Sequence, residues 1–508
     1  MLRLQSRSVL SVFGSAAATC LLVWVSACSS DSDGSGDKGR GAASSTGGSS
    51  TAGSNGGPAK GGSSPSSAGS GVVNMAGSAT VGGATDGACG LTQDRIRITE
   101  VDVGGSVVND EDEAALNPIS ISPVPAGGSR VGWMGSDGKV HVTSLDASDQ
   151  VTGAAAAFVA ADFQDIYADD AGGVVLVTRD AEGGGTLNCG EPTNLCGTPP
   201  NPPVPCYDMY LVRFDGTTET WATKLTESSA SLPPYSTGKT GKNVVMIWWY
   251  AHHGQIAFDG SNYAAYYGAA ISTSQDGCIN IHQGDRMDVV SKAGALGDGG
   301  FDWGCSHSGY EHVIWDPATS KFVTVCQNDA PTSGQSGRLA YAPATKTLLP
   351  VDLWYSNVSE LALAKGGGYW TMTSNARAGQ PANADGLADV HLLRFDNGAP
   401  SIDLLVASDE GLNDRAPHLA GYGADRLIGA WETSTAKGHL TRNDKSRKLY
   451  LRTFDSVTGV AEGAAIQVDV KGNRYHEMVS FPDGSVAFVA PGSSATKLKI
   501  LRVLPCAG

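Results

Sequence analysis

The sequence predicts an all-β fold, a single seven-bladed β-propeller, and three observations carry the reading. From about residue 89 onward, short runs of alternating apolar and polar residues are split by Gly, Asp and Pro turns, with no sustained helical periodicity. A unit of three such runs recurs about every 45 to 55 residues, a period characteristic of repeat architectures. The even spacing argues against a pair of β-sandwich domains, the strongest rival, and leaves six or eight blades as the near alternatives.

The third run of each unit shows the repeat best. These runs fall at 140–142, 209–215, 279–281, 339–341, 390–396, 449–455 and 498–501, several closing on a Phe-Asp turn such as Phe214-Asp215, Phe395-Asp396 and Phe454-Asp455. First and second runs match them, for example 255–258 with 263–267 and 312–315 with 322–325. The turns between, Asp259-Gly260, Asp316-Pro317 and Asp483-Gly484, suit tight hairpins. One strand is left over: residues 95–103 lie near the start of the β region, while the last repeat has only three runs. That N-terminal strand is expected to complete the last blade as its outer member and close the ring.

The segment before the repeats is of a different kind. Arg3 and Arg7 precede an apolar run through Leu21, Leu22, Val23, Trp24 and Val25, ending at Val25-Ser26-Ala27-Cys28, a secretory signal over residues 1–27. Small residues before the cut and cysteine at the first mature position resemble the lipobox of bacterial lipoproteins, which implies a diacylated Cys28. Ser29 lacks the Asp that retains such proteins at the inner membrane, so the resemblance implies the outer membrane or cell surface. Residues 28–88 are rich in Gly and Ser with almost no large apolar side chain, so they cannot bury enough surface to fold. A flexible tether of about 60 residues spans roughly 40 Å. The propeller occupies 89–508. Acidic residues outnumber basic ones 51 to 35, and the net charge of −16 argues against nucleic acid and against any membrane contact beyond the anchor.

Besides Cys20 and Cys28, eight cysteines remain, at 89, 189, 196, 206, 278, 305, 326 and 506. An even number in an exported chain favours disulfides. Cys89 precedes the closing strand and Cys506 follows its expected partner, so a Cys89–Cys506 bridge is expected to lock the ring. The other six map to one face, where the long loops between repeats also fall, and elaborated loops on a rigid scaffold commonly carry binding. A zinc site from these thiols is the competing reading.

Successive repeats place a polar residue at or near the start of the inner strand: Asp165, His253, His312, Glu360, His418 and His476. These positions surround the mouth of the central channel. Imidazoles converging there suit zinc or copper, so His253, His312, His418 and His476 are candidate metal ligands, with Asp165 and Glu360 as candidate ligand-binding groups. The architecture is similar to that of peptidylglycine alpha-amidating lyase and nitrous oxide reductase, which also place histidines at propeller centres, although no motif of either is present. Strand alternation opposes the idea, because Glu311 and His312, or His476 and Glu477, cannot both point inward from a regular strand. The plainer reading is a hydrated polar channel whose histidines bond to backbone.

Other chemistry is thin. His476-Glu477 does not continue to HExxH, and Gly304-Cys305-Ser306-His307-Ser308 lacks the last glycine of GxSxG. Trp248-Trp249-Tyr250, with Trp303, suggests an aromatic wall at the mouth, with Trp249 the candidate contact. The acidic run 109–113 offers oxygens to calcium, but lacks EF-hand spacing and reads as a solvated loop; the basic stretch 437–448 reads as an exposed one. The expected function is therefore a lipid-anchored extracytoplasmic propeller that binds an extracellular peptide, glycan or protein through its loop-rich face. The alternative is a metal-dependent exported enzyme, a lyase, hydrolase or oxidoreductase, using the channel histidines.

Overall fold

The computed structural model describes residues 90–505, apart from internal segments at 109–110, 114–117, 181–195, 197–205, 227–235, 238–241, 248–252, 276–277, 303–304, 306–308, 329–336, 343–345, 352–354, 384 and 397–398. The signal segment, Cys28, the tether, Cys89, Cys506, Trp249 and Trp303 all lie outside the described residues. No described helix is long and apolar enough to cross a membrane.

The fold is all-β, with one short 3-10 turn, Gln93–Arg95, as its helical element among the described residues. After β1 (Ile96–Asp102), six sheets are each built from one contiguous stretch of chain. The first holds β2 (Ser120–Pro123), β3 (Ser129–Met134), β4 (Lys139–Leu145) and β5 (Val151–Val159); the second holds β6 (Asp162–Ala168), β7 (Gly172–Asp180), β8 (Tyr207–Asp215) and β9 (Thr218–Lys224). The third is larger, with β10 (Ser236–Thr237), β11 (Lys242–Met246), β12 (Gly254–Phe258), β13 (Asn262–Gln275), β14 (Cys278–Ser291) and β15 (Phe301–Asp302). The fourth holds β16 (Gly309–Asp316), β17 (Lys321–Asn328), β18 (Gly337–Ala342) and β19 (Lys346–Val351). In the fifth, the inner strand is split into β20 (Asn357–Val358) and β21 (Ala362–Leu363), beside β22 (Tyr369–Ala376), β23 (Ala388–Asp396) and β24 (Ala399–Ala407). The sixth holds β25 (Asn413–Tyr422), β26 (Arg426–Ser434), β27 (Lys448–Asp455) and β28 (Ala461–Val468).

The remaining sheet joins distant parts of the chain: β29 (Met478–Ser480), β30 (Val486–Pro491) and β31 (Lys497–Val503) are completed by β1. β1 runs antiparallel to β31 along its whole length, from Ile96 opposite Val503 to Asp102 opposite Lys497.

Apolar side chains alternate along these strands and bury between consecutive sheets, which is why the sheets stack face to face. Val142 and Phe158 of the first meet Phe163 and Val175 of the second. Val174 and Leu176 meet Tyr263 and Tyr267 of the third. Ala264 and Tyr266 meet Val313 of the fourth, Val325 meets Val358 and Phe395 of the fifth, and Trp370 and Met372 meet Leu419 and Leu427 of the sixth. Ile428 and Leu449 meet Phe488 and Leu501, and Val489 and Ile500 then pack on Ile121, Val131 and Trp133 of the first sheet. Apolar interfaces thus run from each sheet to the next. This is a β-propeller, in which each blade is stabilised by its two neighbours.

The hairpins close as their residues dictate. The Asp259 carboxylate accepts the Ser261 and Asn262 amides at 2.7 and 2.6 Å, and Gly260 takes φ of 100°, a region that favours glycine. Asp316, Asp455 and Asp483 cap their own turns in the same way. The basic stretch 437–448 departs from expectation: Arg447 is fully buried, donating to both carboxylate oxygens of Glu432 at 2.8 and 2.7 Å. A guanidinium taken out of water needs such a bidentate partner.

Candidate functional site

The inner strands bring the expected channel residues together at one end. Asp165 lies on β6, His312 on β16 and His418 on β25; His253 immediately precedes β12, Glu360 sits between β20 and β21, and His476 precedes β29. All six are buried. Three of these inner strands carry a β-bulge just before the polar residue, between Phe163 and Asp165, Gly309 and His312, and Arg415 and His418. The extra residue re-aims the side chains that follow. Hence Glu311 and His312 both line the channel cavity, which simple alternation forbids. Tyr310 and Ala416 occupy the left-handed region at these bulges, with φ of 60° and 48°. A positive φ at a bulky residue such as Tyr310 is costly and concentrates at functional sites.

Most of the polar residues serve as cross-links between sheets. Ser120 Oγ donates to Asp165 Oδ1 at 2.6 Å, and Asp165 Oδ2 accepts the Ile256 amide of the next sheet at 2.7 Å. Gln255 Oε1 accepts the Val313 amide at 3.1 Å, and His312 Nε2 donates to the Val358 carbonyl at 3.1 Å. Glu360 accepts from the Leu419 amide at 3.0 Å, from the Met478 amide at 2.8 Å and from His418 Nδ1 at 3.0 Å. Backbone amides at the channel would otherwise be orphaned, so this belt of acceptors both satisfies them and ties the sheets. His253 Nδ1 pairs with Glu311. His418 and His476 pack against Phe488, with ring centres 4.8 and 5.9 Å away.

The four histidines therefore do not gather as one coordination sphere. Among the described residues, the one group of three ligand-type side chains close enough for a metal is Asp285, Cys305 and Cys326. Its two cysteines form a disulfide, so they offer no thiolate. Cys196 and Cys206 are disulfide-bonded as well.

A small cavity of about 20 Å³, room for a water, opens at this mouth, lined by Pro118, Gln164, His253, Gln255, Tyr310, Glu311, His312, Tyr475 and Glu477. Tyr475 stacks between His253 and Tyr310, with ring centres 5.5 and 5.7 Å away, and the Arg474 guanidinium lies 4.9 Å from the centre of each tyrosine ring. The carboxyls differ in charge state. Burial pushes Asp165 up to about 7, against three hydrogen bonds that favour its anion. Burial, then the charges of Asp165 and Glu360, hold Glu477 well above the usual range. Burial also works to raise Glu360, but the charge of His418 and its hydrogen bond outweigh it, leaving Glu360 below its ordinary value. Burial lowers His312, which is therefore neutral at neutral pH. The mouth thus presents a protonated acid, an anion and a neutral imidazole within one polar site.

The acidic run overturns its reading as a solvated loop. Glu113 is fully buried at the mouth, accepting Arg415 Nε and Nη2 at 2.7 to 3.0 Å, Asn357 Nδ2 at 2.9 Å and the Leu440 amide at 2.8 Å. Asn357 Nδ2 also donates to the Tyr310 hydroxyl at 2.6 Å, joining this hook to the cavity wall. Asp112 accepts the Arg442 amide, and Glu111 pairs with Lys471 at 3.3 Å. These carboxylates are consumed by protein donors rather than left open to calcium. Arg415, Asn357, Tyr310 and Tyr475 escaped the sequence reading, which placed Glu113 only in a solvated acidic loop. Arg415 inside an otherwise buried inner strand was the one visible signal.

The chain matches no protein-family model and no curated protein. Among solved structures it is similar to an α-L-arabinanase of Penicillium chrysogenum complexed with arabinobiose, at 10% identity and TM-score 0.38, over 80% of this chain and 97% of that one. It is similar also to a chain of a mitotic checkpoint complex, at 12% identity and TM-score 0.41, over 80% and 94%. An α-L-arabinofuranosidase of Fusarium graminearum, in complex with an iminosugar inhibitor, stands at 9% identity and TM-score 0.38, over 80% and 97%. These likenesses say nothing of what the present chain binds or turns over.

Proposed function

We propose that this chain is a lipid-anchored extracytoplasmic β-propeller of seven blades, closed by the pairing of β1 with β31, that binds an extracellular glycan, peptide or protein partner at the mouth of its channel. The blade count rests on seven hydrogen-bonded sheets and seven apolar interfaces that return to their start. Export, the diacyl anchor at Cys28 and outer-membrane or surface placement rest on the first 28 residues and the tether behind them. A Cys89–Cys506 bridge belongs to the same reading of the ring.

The observation that carries the binding role is the lining of the mouth, where Tyr310 and Tyr475 stand beside Gln164, Gln255, Glu311 and Glu477. Aromatic surface beside a few fixed amide and carboxyl groups is the chemistry of a ligand site, and it suits a hydroxyl-rich ligand best. Glycan and peptide arrays probed with the purified chain test it. A bound class that is lost in Tyr475→Ala and Glu477→Gln supports the reading, whereas a folded chain that binds neither array sinks it. Cys28→Ala is expected to move the chain from the membrane to the soluble fraction. A second reading, a metal-dependent exported enzyme, is favoured by two imidazole nitrogens in the channel.

A further inference from the structure

Two of the channel histidines are built as metal ligands are built. His312 donates from Nε2 to the Val358 carbonyl, an acceptor only, so in the neutral ring the lone pair is on Nδ1. His418 turns Nδ1 to the Glu360 carboxylate, so in its neutral ring the lone pair is on Nε2. Both remaining nitrogens, His312 Nδ1 and His418 Nε2, are buried and have no hydrogen-bond partner among the described residues. Buried polar atoms are nearly always satisfied, so two such acceptors in one channel need an explanation. Their other nitrogens are held as in metalloproteins, where a ligating imidazole gives its second N–H to a carboxylate or a backbone carbonyl, fixing the tautomer and leaving the lone pair outward.

The two rings belong to one neighbourhood. Glu360 hydrogen-bonds His418 and lies close enough for its charge to act on His312 as well. Both side chains rise from bulged inner strands that face the channel. The remaining candidates are placed differently: His253 is committed through Nδ1 to Glu311 and stacked on Tyr475.

We propose that His312 Nδ1 and His418 Nε2 are the two protein ligands of a channel site for a borderline divalent metal of the zinc and copper class, with Glu360 as the positioning residue of His418. Neutral imidazole suits these ions, and two protein ligands leave coordination positions open to water or to a ligand entering from the mouth. This deepens the second reading above. It is tested by metal binding alone, so a metal-bearing but inert protein and a metal-free one are separate outcomes.

The full chain, made in an oxidising compartment and stripped with chelator, is titrated with zinc chloride and with copper(II) chloride. Bound metal is measured by elemental analysis after dialysis and by calorimetry. One metal per chain is expected, and X-ray absorption of the zinc or copper form should count two imidazoles. His312→Ala and His418→Ala should each weaken binding more than tenfold, Glu360→Gln about 10- to 100-fold, and His391→Ala, on a half-buried histidine paired with Asp403, should not change it. Circular dichroism of each variant confirms its fold. Should a variant fail to fold, the imidazole count on the native chain decides. No retained metal, binding unchanged in the His312→Ala, His418→Ala double variant, or an absorption spectrum without imidazole overturns the proposal.

Discussion

Glu113 and Arg415, 302 positions apart in the chain, meet in a fully buried bidentate ion pair at the channel mouth. Burial works to raise Glu113, but the Arg415 guanidinium, helped by His439, holds its carboxyl well below the usual range. The Arg415 guanidinium also lies 4.4 Å from the centre of the Tyr355 ring. Removing one partner strands the other charge away from water, at a cost of about 3–5 kcal/mol. Glu113→Ala and Arg415→Ala should therefore each lower the stability measured by urea unfolding by that amount. The double variant should lose much less than the sum.

Where the last sheet meets the first, Asp149 is buried in the turn between β4 and β5 and accepts Arg502 Nε and Nη2 at 2.6 to 3.0 Å and Arg97 Nη2 at 2.6 Å. Arg502 is buried over the Phe481 ring, whereas Arg97 is about one-third exposed. Asp149→Ala should cost about 3 kcal/mol, because it abandons a buried guanidinium. Arg97→Ala should cost under about 1 kcal/mol. Equilibrium unfolding of the two variants side by side measures both, and equal losses would contradict the assignment.

The channel acids give the protein a pH dependence of unusual sign. Asp165 titrates at about 7 in the folded chain against an ordinary value of 3.8, so between those limits the native state holds a proton that the unfolded chain has released. Its stabilising contribution is complete below about pH 4 and is lost as pH rises through 7. Glu477 extends the same trend to higher pH. Glu477→Gln should therefore raise the melting temperature at pH 8 more than at pH 5, read by thermal melts across that range. An equal shift at both values would show that the carboxyl does not titrate there.

The disulfide between Cys305 and Cys326 links the segment before β16 to the end of β17, closing a loop of sequence separation 21. In the chain-entropy picture such a loop is worth about 3 kcal/mol. A Cys305→Ala, Cys326→Ala variant should lose about that much in urea. Cys305 also donates its amide to the buried Asp285 carboxylate at 2.8 Å, so loosening of this loop should appear as faster amide exchange at that position.

The period-2 runs and Asp-Gly turns were enough to identify the strands: the runs at 140–142, 209–215, 339–341, 390–396, 449–455 and 498–501 fall on the third strand of a sheet, and that at 279–281 falls on β14 of the larger sheet. The channel was legible in part. Asp165, Glu360 and the four histidines could be placed at the inner-strand starts because position within a repeat is a local property. Their partners could not, because a bulge shifts alternation without a mark in composition: Glu311 and His312 line one cavity only because Tyr310 absorbs a left-handed turn. The acidic run at 111–113 was misjudged for a related reason. Its charge predicts solvation until Arg415, Asn357 and Leu440 arrive from other sheets to replace the water.

Strand content, turn positions and the repeating β-propeller plan were determined by the sequence alone, since each depends on neighbours a few residues apart. Which carboxyls are charged, which imidazole nitrogens are left bare and which acid meets which arginine were decided only by the tertiary structure. Those properties follow from burial and from hydrogen bonds between residues tens to hundreds of positions apart, and no local pattern encodes the distance between them.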